Sequence, residues 1–212
     1  MHHASRAFTM TEFVAVAAVL LSLAVLLAII FHEPRPPKDR GRQLRGIHQG
    51  LVMYAQGNND YYPGLNAQGE PIAIRVEQRL KLLLDGDYFS PEYLVSPVER
   101  GREPWRSGPF TAEHNSYAML QVPESGGRHA EWRDTMNTRA AILADRNTGT
   151  VDDPSSIHYR HAWRGHILWN DNHVGFEMSP LQETEYGGVR NEQDHIFRAE
   201  GDDDAYMIHS GN

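Results

Sequence analysis

The hydrophobic pattern of the 212-residue chain is dominated by one segment near its start. Phe13 to Phe31 form an unbroken run of 19 residues, of which 13 are Phe, Val, Leu or Ile, five are Ala and one is Ser. A helix of that length spans ~28 Å, close to the ~30 Å thickness of bilayer hydrocarbon. A secretory signal peptide has a shorter apolar run, ~7 to 15 residues, that ends at small residues. This run ends at Ile29-Ile30-Phe31, so the pattern predicts a retained transmembrane helix, which we place at residues 8–33.

Beyond this helix the pattern changes to that of an α+β head, residues 34–212. Pro34, Pro36 and Pro37 predict a hinge. Apolar residues at helical spacing then predict an amphipathic helix over residues 38–57. Its core-facing residues are expected to be Leu44, Ile47, Leu51 and Tyr54.

The rest of the head is predicted to be one short helix and a small antiparallel sheet. The helix is expected at residues 75–87, closed by Asp85-Gly86. Short β-prone runs predict strands at 116–122, 141–146, 167–169 and 174–176. We expect the sheet to end in the hairpin of residues 167–177, with Asn170-Asp171-Asn172-His173 as its turn.

Composition and charge narrow the possible functions. The chain has 20 Lys and Arg against 28 Asp and Glu, a net charge of −8, which gives no basic surface for nucleic acid. It has no Cys, which excludes disulfides, thiol catalysis and Cys-ligated metals. The nucleophile-elbow, phosphate-loop and dinucleotide-binding motifs do not occur either. The sequence therefore predicts a protein that is not an enzyme.

A short leader precedes the apolar run: Arg6-Ala7-Phe8-Thr9-Met10-Thr11-Glu12. A simple anchor has no use for a carboxylate at membrane depth, and such a group usually marks a partner that neutralises it. The segment resembles the leader of type IV pilins and type II secretion pseudopilins, Gly-Phe-Thr-Leu-Ile-Glu, with Ala7 in place of the Gly.

That resemblance implies a processing step and an assembly step. Residues 1–7 would be a prepilin leader that a prepilin peptidase removes, methylating the new amine of Phe8. Glu12, the fifth mature residue, would then pair with the N-terminus of a neighbouring pilin subunit, because an ammonium and a carboxylate relieve each other's desolvation in an apolar bundle.

The same resemblance implies a single-pass inner-membrane protein with its head in the periplasm. The flanking charges favour the opposite orientation, because only Arg6 precedes the helix while five basic residues follow it closely. Those five are Arg35, Lys38, Arg40, Arg42 and Arg45. We give the leader pattern precedence, so the predicted function is a structural subunit or minor pseudopilin of a type II secretion or type IV pilus-like filament.

Two further segments resemble pilin-like proteins of planctomycetes. Residues 43–63, which include Asn58-Asn59-Asp60-Tyr61-Tyr62-Pro63, are similar to the block that follows the membrane helix in those families. His161 and Asp171, separated by nine residues, resemble their C-terminal H-X9-DG signature within residues 155–178. Asn172 stands where the signature has Gly, and Asn also reaches the positive φ that such a turn needs.

The alternative to a structural protein is an enzyme, a metal-dependent hydrolase anchored in the cell envelope. Imidazole and carboxylate ligands for such a site are available from His158, His161, His166, His173, Asp145 and Asp171. Because no metal signature such as H-E-x-x-H occurs, we predict no metal and assign hydrogen-bonded structural roles to His161 and Asp171. His158, His161, His173 and Asp171 remain the candidate ligands, and a tethered binding module is a third possibility.

The acidic residues near the C-terminus are the candidates for a calcium site. Asp202-Asp203-Asp204 lie close in sequence to Asp194 and Glu200, but EF-hand spacing is missing. A solvated acidic tail is therefore the preferred interpretation, and no cofactor is predicted.

Overall fold

The computed structural model describes residues 9–30, 41–73, 75–122, 131–201 and 204–211. The predicted leader with Ala7 and Phe8, the proline segment and Asp202-Asp203 lie outside these residues. The chain divides into two compact units, Met1–Pro36 and Pro37–Asn212.

The first unit contains helix α1, Met10–Ile30. Its window Met10–Leu27 has a mean hydropathy of 2.4 and none of it is buried. The chain therefore has an N-terminal helix that is long and apolar enough to cross a membrane. The predicted bounds, 8–33, extend beyond the described helix at both ends.

The second unit is an α+β head. Its two α-helices are Arg42–Gln56 (α2) and Val76–Asp85 (α3). The described strands are Tyr117–Leu120 (β1), Ala141–Asp145 (β2), Gly165–Trp169 (β3), Val174–Glu177 (β4), Leu181–Tyr186 (β5), Val189–His195 (β6) and Met207–Ile208 (β7). Short 3-10 turns lie at Pro91–Leu94 and Ala112–His114.

Five strands form one antiparallel sheet in the order β4-β3-β2-β1-β7, and β5 pairs with β6 in a separate hairpin. The expectation that the sheet ends in the 167–177 hairpin is only half right. Strand β4 is an edge of the sheet, but β7 returns from the end of the chain to pair with β1 at the opposite edge. The hairpin β5–β6 was not predicted, because its two strands contain too few apolar residues to show an apolar–polar alternation in the sequence.

The three central strands of the sheet, β1, β2 and β3, are buried on both faces. Helices α2 and α3 contribute Leu44, Ile47, Leu51 and Leu80 to the same core cluster as Met119, Leu143 and Leu168 of the strands. The alternate strand residues belong to a second cluster with Trp163, Ile196 and Phe197. Burial on both faces explains why β1, β2 and β3 read as continuous apolar runs.

Candidate functional site

The N-terminal end of α1 is capped by its own side chains. The amide and hydroxyl of Thr9 each donate a hydrogen bond to Glu12 Oε2, both at 2.8 Å, and the Glu12 amide donates to Thr9 Oγ1 at 3.3 Å. This is a capping box, in which a Thr and the residue three positions later satisfy each other's free backbone amides. Glu12 therefore has a role inside its own helix, contrary to the expectation that only a partner explains it.

The turn between β3 and β4 has the conformation that the sequence predicted. Asn172 adopts φ 69°, the left-handed region that Asn tolerates and that Gly occupies in the similar signature. Asp171 Oδ1 accepts hydrogen bonds from the backbone amide and Nδ1 of His173. The predicted structural role of Asp171 in this turn is thus present in the structure.

His161 does not share that role. Its ring contacts Tyr159, with centroids 5.8 Å apart, and its side chain is exposed. Among the described residues, His161 has no hydrogen bond to Asp171 or to any other side chain. The nine-residue spacing between them therefore does not correspond to a direct pair.

Asn170, at the start of the same turn, is completely buried and joins distant parts of the chain. Its Oδ1 accepts a hydrogen bond from the Tyr62 hydroxyl at 2.7 Å, and its Nδ2 donates to the carbonyls of Glu131 and Arg133. His48 Nε2 lies 3.4 Å from the Tyr62 hydroxyl. Residues 43–63 and 155–178 thus meet at one hydrogen-bond network.

Burial sets the protonation of this network. It lowers the pKa of His48 below its ordinary value, and the nearby Asp134 carboxylate opposes this only in part. It also raises the pKa of Tyr62, so the phenol remains a hydrogen-bond donor. The network is therefore neutral near pH 7, as expected for a polar element that fixes packing.

A different group of chemically active side chains lies between β2 and β3. Asp145, the last residue of β2, has a side chain only 1% exposed, and those of His158 and His166 are 8% and 7% exposed. Asp145 Oδ2 is 2.8 Å from His158 Nε2 and 3.0 Å from His166 Nδ1, and it also accepts the His166 backbone amide at 2.6 Å. The three ligand-type atoms lie within 4.8 Å of one another.

Strand register and loop geometry bring these three residues together. Ala144 pairs with Ile167 across β2 and β3, which places Asp145 beside His166. The loop between the strands returns His158 to the same carboxylate. Gly165 leaves the necessary space, because a Cβ there would lie 2.9 Å from the Asp145 Cβ and 3.1 Å from its Oδ2.

The electrostatics of Asp145 follow from these contacts. Burial raises the pKa of its carboxyl group, but the hydrogen bonds and charges of His158 and His166 outweigh burial and hold the pKa below its ordinary value. Asp145 is therefore a buried carboxylate anion that is stabilised by two imidazoles.

The structure selects differently among the candidate ligands than the sequence did. His158 belongs to this cluster, whereas His161, His173 and Asp171 lie outside it. Asp145 and His166 were among the six residues with suitable side chains but not among the four candidate ligands. The register of β2 and β3 is the signal that would have identified them as neighbours. Two of the candidate calcium ligands form hydrogen bonds within the protein. The Asp194 carboxylate accepts one from the Thr184 hydroxyl, and the Asp204 carboxylate accepts one from the Glu200 backbone amide.

One buried charge had no counterpart in the sequence analysis. Arg79 of α3 is 0% exposed, donates to the Leu120 carbonyl at 2.7 Å and places its guanidinium 4.8 Å from the Trp132 ring centroid. Burial lowers its pKa to about 9, and the charge of Glu77 opposes this shift. Its position, three residues after Val76 and four before Leu83, lies on the core-facing stripe of α3, but a charged residue type is not expected there.

No protein-family model, curated protein or solved structure matches the chain. The functional inference therefore depends on the residues and their geometry.

Proposed function

We propose that the protein is a membrane-anchored, pilin-like subunit, either a structural subunit or a minor pseudopilin of a type II secretion or type IV pilus-like filament. The observation that carries this proposal is the exposure of α1. Leu20, Leu21 and Leu23 are 50–72% exposed, and no residue of the window Met10–Leu27 is buried. Such a surface needs a bilayer or other copies of the same helix to cover it.

The N-terminus of α1 supports assembly in addition to anchoring. Both hydrogen bonds from Thr9 go to Oε2 of Glu12, and a carboxylate has lone pairs for further donors on both oxygens. Capping of α1 and pairing with a neighbouring amine are therefore compatible uses of Glu12. In this proposal the inner membrane holds the subunit before assembly, and the head lies in the periplasm.

The decisive experiment is mass spectrometry of the native N-terminus. In cells with an active prepilin peptidase, we expect a mature chain that begins at N-methylated Phe8. A mature chain that retains residues 1–7 in those cells would overturn the proposal.

Glu12 substitutions distinguish assembly from helix capping. Glu12→Gln keeps the capping box, because Gln also serves at its third position, but removes the charge. Because Gln lacks the charge that the neighbouring amine would pair with, co-assembly with wild-type subunits should fall by well over about tenfold. Thr9→Ala is the matched control: it removes the cap at a cost of about 1 kcal/mol and leaves the charge, so co-assembly should persist. A tethered binding module or an anchored hydrolase would be insensitive to Glu12→Gln.

A further inference from the structure

The cluster of Asp145, His158 and His166 has a ligand set that the filament role does not use. Two imidazole nitrogens and one carboxylate oxygen are the donors of many Zn²⁺ sites and of the two-His, one-carboxylate sites of other divalent transition metals. Ca²⁺ and Mg²⁺ prefer sites made of oxygen. The chemistry of the cluster therefore favours a transition-metal ion.

Two of the three ligand separations are slightly shorter than those of a bound site, and the third is within 4.8 Å. Ligands at ~2.0–2.1 Å from a tetrahedral Zn²⁺ lie roughly 3.3 Å from one another. Here the carboxylate oxygen is 2.8 and 3.0 Å from the two imidazole nitrogens. Outward movements of a few tenths of an ångström, on the order of 0.3–0.5 Å, would open these two distances to the tetrahedral value.

The proton arrangement also permits binding. Both rings donate to Asp145 Oδ2 only if His158 carries its proton on Nε2 and His166 carries its proton on Nδ1. When each proton resides on the other ring nitrogen, the same two atoms present lone pairs. Each ring can therefore exchange its hydrogen bond for a metal bond when its proton resides on the other ring nitrogen.

The surroundings hold the ligands in place. The Ser156 hydroxyl accepts hydrogen bonds from the backbone amides of His158 and Tyr159 and donates one to the Arg164 carbonyl. These bonds fix the part of the loop that carries His158. The Phe176 ring packs against both imidazoles, with centroid distances of 5.4 and 5.1 Å. Supporting contacts of this kind orient ligands and keep water from a site.

We propose that Asp145, His158 and His166 bind one divalent transition-metal ion, with Zn²⁺ as the best match, and that this ion ties the loop between β2 and β3 to the sheet. Three protein ligands leave the fourth position of a tetrahedral ion to water, and because the three side chains are at most 8% exposed, we assign the ion the role of holding this loop. This site is independent of the filament proposal.

The test is metal binding by the full-length protein in detergent micelles after chelator treatment. Adjacent histidines near an N-terminus bind Zn²⁺ by themselves, so the measurement uses the His2→Ala/His3→Ala background. Titration calorimetry should show one Zn²⁺ per chain and no binding of Ca²⁺ or Mg²⁺ at the same concentration. Free Zn²⁺ at about 100 times its Kd should raise Tm by about 5–10 °C.

Single substitutions assign the site. His158→Ala and His166→Ala should each weaken Zn²⁺ binding at least roughly 100-fold. The matched controls His161→Ala and His173→Ala alter histidines outside the cluster and should leave it unchanged. If the two ligand variants do not fold, the histidine ¹⁵N chemical shifts of the wild type test the site instead. Zn²⁺ should shift the signals of Nε2 in His158 and Nδ1 in His166. Absence of Zn²⁺ uptake, or equal loss in the control variants, would mean that the cluster is a metal-free hydrogen-bond triad.

Discussion

Helices α1 and α2 differ in how their apolar residues are distributed and in how far these residues are buried. In α2, Leu44, Ile47 and Leu51 are at most 1% exposed and belong to the core of the head, while Gln49 and Met53 face solvent. In α1, every described side chain of the window Met10–Leu27 is exposed. A helix with one apolar stripe can bury that stripe against a core, whereas a helix that is apolar all round is covered on every side only in a large protein core or in a membrane.

The largest expected effect on the difference between the two helices comes from placing charged residues in α1. Leu20→Asp/Leu23→Asp places two carboxylates near the centre of the apolar run, at a cost of about 3 kcal/mol each for membrane insertion. The variant should move from the carbonate-washed membrane pellet to the soluble fraction. Gln49→Asp/Met53→Asp, on the exposed face of α2, is the control and should not change the partition. A double α1 variant that stays in the pellet would show that another segment holds the chain there.

The next effect tests the buried face of α2. Leu51→Ala removes a fully buried side chain and should lower the free energy of unfolding by about 2–5 kcal/mol. Met53→Ala, two positions away and 54% exposed, should change it by less than about 0.5 kcal/mol. Denaturant titration of the full chain in micelles, followed by Trp fluorescence, measures both. Equal effects would mean that α2 does not pack as described.

The smallest effect concerns the polar residue on the buried face of α2. Because burial lowers the pKa of His48 below its ordinary 6.5, the unfolded chain binds more protons than the folded chain just below that pH. The contribution of His48 to stability is therefore complete above about pH 6.5 and is lost as the pH falls toward the folded pKa.

We expect the free energy of unfolding to decrease between about pH 7.5 and 5.5, and His48→Gln to flatten part of this slope. His161→Gln alters an exposed histidine and should leave the slope as it is in the wild type. His209 and His195, whose pKa values burial also lowers, contribute in the same direction and account for the slope that remains. If His48→Gln left the slope unchanged, burial of His48 would not control it.

Much of the fold could be predicted because its signals are local. The strands β1 to β4 lie at the predicted positions, within two residues at each end, and Asn172 has the positive φ that its place in the turn requires. The hairpin β5–β6 also carried a local signal that was overlooked. Gly187 and Gly188, with φ values of 57° and 79°, form the two-residue turn that Gly-Gly favours.

The candidate sites were harder to predict because their contacts are not local. Asp171 and His173 form a pair within one turn, and the sequence identified that turn. Asp145 and His166 are 21 positions apart and meet only through the register of β2 and β3. Asn170 and Tyr62 are 108 positions apart, so nothing in either segment reveals their hydrogen bond.

The sequence by itself determined that this chain has a helix that is apolar all round and long enough to cross a membrane, and that the head combines amphipathic helices with an antiparallel sheet. Those properties follow from residue type and spacing over one or two turns of chain. Only the tertiary structure decided which histidines share a carboxylate, that both faces of the sheet are covered, and that Arg79 is buried. The shared carboxylate depends on strand register and on the return path of a loop, and the other two depend on how helices and loops pack against the sheet. Local spacing does not encode these contacts.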